Sequence, residues 1–127
     1  ATTWKKYAEI NFTLGFFEEA DLGFQECVNL GNYEVDTWVK WADVFKEMHD
    51  YPRALEVLQH GLEFHPESSV INFRLGGIYL LSSKSLEARF YLKNAYLSDA
   101  KQLNHFYETF PEFRSSSFVK QSLSLKV

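Results

Sequence analysis

Sliding the chain against itself by 34 positions brings small and apolar residues into register without a gap. Trp4 falls on Trp38 and then Asn72, Ala8 on Ala42 and Gly76, and Ala20 on Ala54 and Ala88. Phe24 falls on Leu58 and Leu92, and Cys27 on Gly61 and Ala95. Self-similarity at such a period marks a repeat architecture, in which each unit is one supersecondary element unable to bury its apolar face alone. The best-formed copy runs from Trp38 to Pro66 and has the apolar spacing of two helices. In every copy one small residue sits on the first helix and another on the second, so that two antiparallel helices can close to the short end of the usual separation. The third small column (Cys27, Gly61, Ala95) lies two turns further along the second helix, where the first helix of the next unit is expected to pack. Trp41, Phe45 and Leu58 are the large residues that fill the remaining space in the middle unit.

Stop and start signals place the elements. The first helix is expected from Thr2 or Thr3 to Leu14, with Gly15 past its end, and the second from about Phe17 to Leu30, followed by Gly31-Asn32. The second helix carries Glu18, Glu19, Asp21 and Glu26 without a base, which reads as a solvated acidic face. The third spans about Val35 to Met48, with Asp36 in its first turn, where a carboxylate suits the helix dipole. Tyr51-Pro52 opens the fourth, which ends near Phe64, because proline is tolerated at the start of a helix. Ser68 or Ser69 caps the fifth, running to Leu81, and the sixth spans about Ser85 to Leu97. Gly76 belongs to a close-packing column; nothing in the pattern accounts for Gly77 beside it, although each helical glycine costs about 1 kcal/mol relative to alanine. A seventh helix is expected from Asp99 to Thr109, with Leu103, Phe106, Tyr107 and Phe110 on one stripe. Pro111 ends it, which leaves no room for a fourth full repeat in this register. Ser115–Ser117 would cap a last short helix through Leu123, so the segment after residue 102 reads as a cap over the open end of the stack.

These columns resemble the tetratricopeptide repeat, whose pattern runs W-x2-L-G-x2-Y, A-x3-F and P over 34 residues. The middle unit matches it with Trp38, Trp41, Ala42, Phe45, Ala54, Leu58, Gly61 and Pro66. The third keeps Leu75, Gly76, Tyr79, Ala88, Leu92 and Ala95 but has Asn72 for the tryptophan and Ala100 for the proline. The first keeps Trp4, Ala8, Ala20 and Phe24, with Asn11 in an aromatic position and Asn32 for the proline. The resemblance covers residues 1–102. It implies an all-α fold, an α-solenoid of antiparallel hairpins wound into a right-handed superhelix. The expected organisation is one domain with repeats at about 1–34, 35–68 and 69–102 and a capping segment at 103–127. It also implies a module that binds proteins or peptides without catalysis.

Net charge is −4 from 13 basic and 17 acidic residues, with no concentrated basic face, which argues against nucleic acid as a partner. No apolar run approaches the ~20 residues that span a bilayer, so no membrane partner is expected. The single cysteine, Cys27, cannot form an internal disulfide and occupies a small, buried column rather than the electropositive setting of a catalytic thiol. The four histidines (His49, His60, His65, His105) lack the spacing of a helical metal pair, and no phosphate-cradling loop or nucleophile elbow is present. Neither a cofactor nor a metal nor a catalytic residue is therefore expected. The chain opens at the first position of a repeat, as a piece of a longer protein would.

In the resembled fold the first helix of each unit lines a concave groove through repeat positions 2, 5, 6, 9, 12 and 13. Position 6 places Lys6, Lys40 and Arg74 in one column, and position 9 places Glu9, Asp43 and Gly77 one turn on. Two readings stand side by side. Lys6–Glu9 and Lys40–Asp43 are ordinary i,i+3 pairs worth a few tenths of a kcal/mol, or the three bases form a ladder that attracts an acidic, extended partner segment. The carboxylate clamp that some relatives use for chaperone tails would need Lys5 and Arg74, which are present. It would also need other residues at Glu9, Lys40 and Val70, and Glu9 would repel a carboxylate. In the third unit Val70, Phe73, Leu80 and Leu81 give the groove an apolar end, suited to a partner's side chains or to this chain's own C-terminal segment. The candidate groove residues are thus Lys5, Lys6, Lys40, Asp43, Phe73, Arg74 and Leu80. The competing functions are a structural spacer within a longer array and the regulatory part of a larger enzyme.

Overall fold

The computed structural model describes residues 2–124, with Thr2 described by its backbone alone. Among these residues there are eight α-helices and no strand. They are α1 (Thr2–Thr13), α2 (Phe17–Asn29), α3 (Val35–Glu47), α4 (Tyr51–Phe64), α5 (Ser69–Leu81), α6 (Ser85–Ser98), α7 (Leu103–Thr109) and α8 (Ser117–Ser122). The protein is all-α. Single 3-10 turns, Ala100–Gln102 and Pro111–Phe113, precede and follow α7.

The repeat is visible in the backbone as well as in the sequence. The first helices end at Thr13, Glu47 and Leu81, and the second helices begin at Phe17, Tyr51 and Ser85, each series stepping by 34. At the turn between them, Gly15, His49 and Ser83 all adopt a left-handed conformation, with φ of 82°, 58° and 60°. The next N–H in each copy (Phe16, Asp50, Lys84) donates to the carbonyl five residues back (Asn11, Phe45, Tyr79) at 2.8, 2.8 and 2.9 Å. This pairing closes a helix C-terminus by satisfying carbonyls that the helix leaves open. Ser68, not Ser69, caps α5, its hydroxyl accepting from Ile71 N–H at 3.2 Å. Ser69 Oγ donates instead to the Ala95 and Asp99 carbonyls at 2.8 and 3.1 Å, tying α5 to the end of α6. The expected seventh helix is broken at its start, where Asp99 is extended and its carboxylate caps Lys101 N–H at 3.1 Å.

The helices gather into two compact units, α1–α4 and α5–α8. In the first, Ala8, Ala20, Phe24 and Val44 form a fully buried centre, flanked by Phe12, Phe17 and Trp41. Asp21, expected on a solvated acidic face, is half-buried and accepts from Trp41 Nε1 at 2.8 Å, which ties α2 to α3. Gly61 meets Trp38 of its own hairpin, so closely that an added β-carbon would lie 2.8 Å from the indole.

In the second unit α5 is buried from Ile71 to Ile78, as a helix apolar nearly all round should be. Helix α6 covers one side of it, with Leu92 seated on Gly76, and another side is covered by Phe106 of α7 and by Phe110, the residue that ends α7. Helix α8 lies on α6, with Val119 buried and the Arg89 guanidinium 5.1 Å from the ring of Phe118.

Candidate functional site

The first unit opens into a cavity of about 310 Å3 lined by Glu9, Phe12 and Thr13 of α1, Phe24 of α2, and Lys40 and Asp43 of α3. Its apolar wall follows from the packing just described. Phe24 is buried in the centre, and half-buried Phe12 leans on Phe17 with ring centroids 5.8 Å apart. The charged groups stand on the two first helices. A concave, largely apolar pocket with a few convergent polar groups is the usual form of a binding site.

The charges at its rim are linked. Lys40 Nζ bonds Glu9 across the two hairpins and Asp36 on its own helix at 3.2 Å. Lys5 Nζ reaches the same Asp36 at 2.9 Å and Glu34 at 3.3 Å. The result is an alternating chain, Glu34–Lys5–Asp36–Lys40–Glu9, with three carboxylates and two ammonium groups. Burial raises the Asp36 carboxyl, but hydrogen bonds and charge from Lys5 and Lys40 outweigh it and hold the group below the ordinary carboxylate range. Burial likewise lowers both ammonium groups, and their carboxylate partners outweigh it, leaving each above the ordinary lysine value. Asp43, one turn beyond Lys40, adds a further carboxylate to the cavity.

The described residues hold no group of histidine, cysteine and carboxylate side chains placed to bind a metal ion. No described helix is long and apolar enough to cross a membrane. Burial, the largest influence on the Cys27 thiol, pushes its pKa upward.

Solved structures of similar shape span nearly the whole chain. The type III secretion chaperone SycD of Yersinia enterocolitica, in complex with a peptide of the translocator YopD, aligns with 97% of this chain and 88% of its own. Its identity is 20% and its TM-score 0.75. The TPR2B domain of yeast Sti1, in its complex with pHsp70, aligns over 97% and 92% of the two chains at 14% identity and a TM-score of 0.74. MamA aligns over 95% and 68% at 15% identity and a TM-score of 0.74. The chain has the tetratricopeptide-repeat fold. Neither a family model nor a curated protein sequence matches it.

With the tetratricopeptide fold in place, the seven candidate residues can be located one by one. Lys40 and Asp43 line the cavity, and Lys5 stands in the charge chain beside it. Lys6 is exposed, and Leu80 is half-buried on α5. Phe73 is not an open groove wall. It is 2% exposed and packs on Phe106 of α7, with centroids 5.4 Å apart, so this chain's own C-terminal segment covers it. Arg74 is buried as well, at 6% exposure. The column of three bases therefore presents three different situations: Lys6 exposed, Lys40 engaged by carboxylates, Arg74 buried.

Phe12, Thr13 and Asp36 were not among the candidates. Phe12 and Thr13 stand at positions 12 and 13 of the first tetratricopeptide unit, two of the groove-facing positions, so the positional rule held the signal for them. Asp36 looked sufficiently explained by the helix dipole. Its role as the hub between Lys5 and Lys40 needs the contact between hairpins.

Proposed function

We propose that this chain is a non-catalytic protein-interaction module that holds an extended partner segment along α1 and α3. One apolar side chain of the partner enters the cavity over Phe12 and Phe24. The carrying observation is that cavity, with its apolar wall and its rim of Glu9, Lys40 and Asp43. The structures of SycD with a YopD peptide and of the Sti1 TPR2B domain with pHsp70 support the reading by fold. Lys40 already has two carboxylate partners, so the apolar side chain, rather than an acidic one, supplies most of the recognition. The rim then orients the partner's backbone and polar groups.

A displayed peptide library selected against the chain tests this. Enriched peptides should share an apolar residue, and Thr13→Trp, which fills the cavity mouth, should abolish their binding while the helical spectrum stays unchanged. Selection without enrichment, or equal binding by the Thr13→Trp variant, would overturn the proposal.

A second reading, a stacking element within a longer array, is favoured by the outer face of α1 and the turn residue after it. Trp4, Tyr7, Ile10 and Leu14 are 39–62% exposed, whereas Val44, the counterpart of Ile10 in α3, is fully buried against the preceding hairpin. A copy of residues 35–68 placed ahead of residue 1 keeps the register and should raise the melting temperature by covering that face. An unchanged melting temperature would count against stacking.

A further inference from the structure

Trp38 fills a slot in its hairpin. It is 3% exposed, stacks on Tyr33 and Phe64 with centroids 6.4 and 5.8 Å away, and donates its indole N–H to the Tyr33 carbonyl at 3.2 Å. Tyr33 and Phe64 stack on each other at 4.5 Å, and Gly61 lies beneath the indole. One repeat later those four positions are Asn72, Glu67, Ser98 and Ala95. Every ring has been replaced by a smaller polar side chain. At that place in the α5/α6 hairpin lies a cavity of about 480 Å3 lined by Pro66, Glu67, Asn72, Asn94, Leu97 and Ser98.

The chemistry of the lining selects its guest. Asn72, 3% exposed, donates its Nδ2 to the Ser68 carbonyl at 2.8 Å, which leaves Oδ1 as its remaining polar atom. Ser98 Oγ donates to the Glu67 carbonyl at 2.7 Å. Glu67 has no ion pair among the described residues, so the lining offers a carboxylate and side-chain amide oxygens as acceptors. An aromatic ring in the slot would bury such acceptors without partners, which is costly. A guanidinium is flat like an indole, carries five N–H donors in one plane, and pairs with a carboxylate through charge-assisted hydrogen bonds. We propose that the slot vacated by the missing tryptophan binds an arginine side chain of a protein partner. The residues of this site all belong to the second unit, and the proposal does not depend on the peptide-binding role assigned to the cavity of the first.

The test is a nitrogen-15 NMR titration of the intact chain with acetyl-Gly-Arg-Gly amide, and with the corresponding lysine and phenylalanine peptides. The side-chain amide signals of Asn72 and Asn94 and the backbone amide of Ser98 should move saturably with the arginine peptide. The lysine peptide should bind about tenfold more weakly, since it lacks the planar fork. Glu67→Gln should also weaken the arginine peptide about tenfold by removing the charge. Asn72→Trp should fill the slot and abolish the response. If that variant does not fold, Glu67→Gln, at an exposed position, decides alone. Equal binding of the lysine or phenylalanine peptide, shifts confined to other residues, no shifts at all, or an unaffected Glu67→Gln variant would each overturn the proposal.

Discussion

Gly77 lies against the ring of Phe110: a β-carbon at that position would come within 2.4 Å of two ring atoms. Phe110 is wholly buried, so its ring has nowhere to retreat. Alanine is the better helix former by about 1 kcal/mol, and on propensity alone Gly77→Ala should stabilise α5. Overpacking a tight core costs about 1–3 kcal/mol and decides the sign. Gly77→Ala is therefore expected to lower stability in denaturant unfolding, and the loss should shrink when Phe110→Leu is combined with it. A stabilised Gly77→Ala variant would mean that α7 does not sit on α5 in this way.

The same glycine shows what was legible in the sequence. Repetition at 34 residues placed every hairpin, because Ala20, Ala54 and Ala88 must recur wherever helices of one chain pack alike. Gly77 has no such column. It is needed only because α7 lies over α5, and no neighbour in sequence announces that contact. Arg74 failed for a related reason. Its repeat position implied a groove, but the position is buried in the second unit, where the local helices replace an open face. His49 and Ser83 are a third case. Their left-handed turns match Gly15 in position, but serine gives no signal of such a turn and histidine a weaker one than glycine.

Those turns carry a prediction. A left-handed backbone costs a non-glycine residue about 1–2 kcal/mol, and Ser83 pays it at an exposed site with φ of 60°. Glycine removes that strain but brings its own entropy cost, leaving a net gain of about 0.5–1 kcal/mol for Ser83→Gly. Thermal unfolding should therefore shift upward. A lower melting temperature would show that the serine is not strained there.

The charge chain through Asp36 fixes the direction of a pH effect. The folded Asp36 carboxyl lies below its ordinary value, so its contribution is present at neutral pH and is lost as pH falls below about 4 and through the folded value. Lys5 and Lys40 lie above theirs, so their contribution is complete below the ordinary lysine value and is lost as pH rises through the folded values. Asp36→Asn should flatten the acid side of the stability profile and weaken the base side through both lysines. The effect should be modest and should fade with added salt, because the side chain of Asp36 is half-exposed. An acid limb identical in parent and variant would remove Asp36 from its role as hub.

Phe106 is the centre of the aromatic cluster that closes the second unit. Its ring lies 5.4 Å from Phe73, 5.2 Å from Phe110, 5.6 Å from Tyr107 and 6.4 Å from Phe113. The side chain is 1% exposed, and truncating a buried phenylalanine typically costs about 3–5 kcal/mol through lost transfer energy and the cavity left behind. That is a large share of the roughly 5–15 kcal/mol that stabilises a domain. In Phe106→Ala, native-state hydrogen exchange should show α5 and α7 losing protection together, since Phe73 would lose the ring that covers it. Phe106→Leu, which keeps most of the volume, should restore much of that protection. If α5 keeps its protection in the alanine variant, Phe73 is covered by something other than α7.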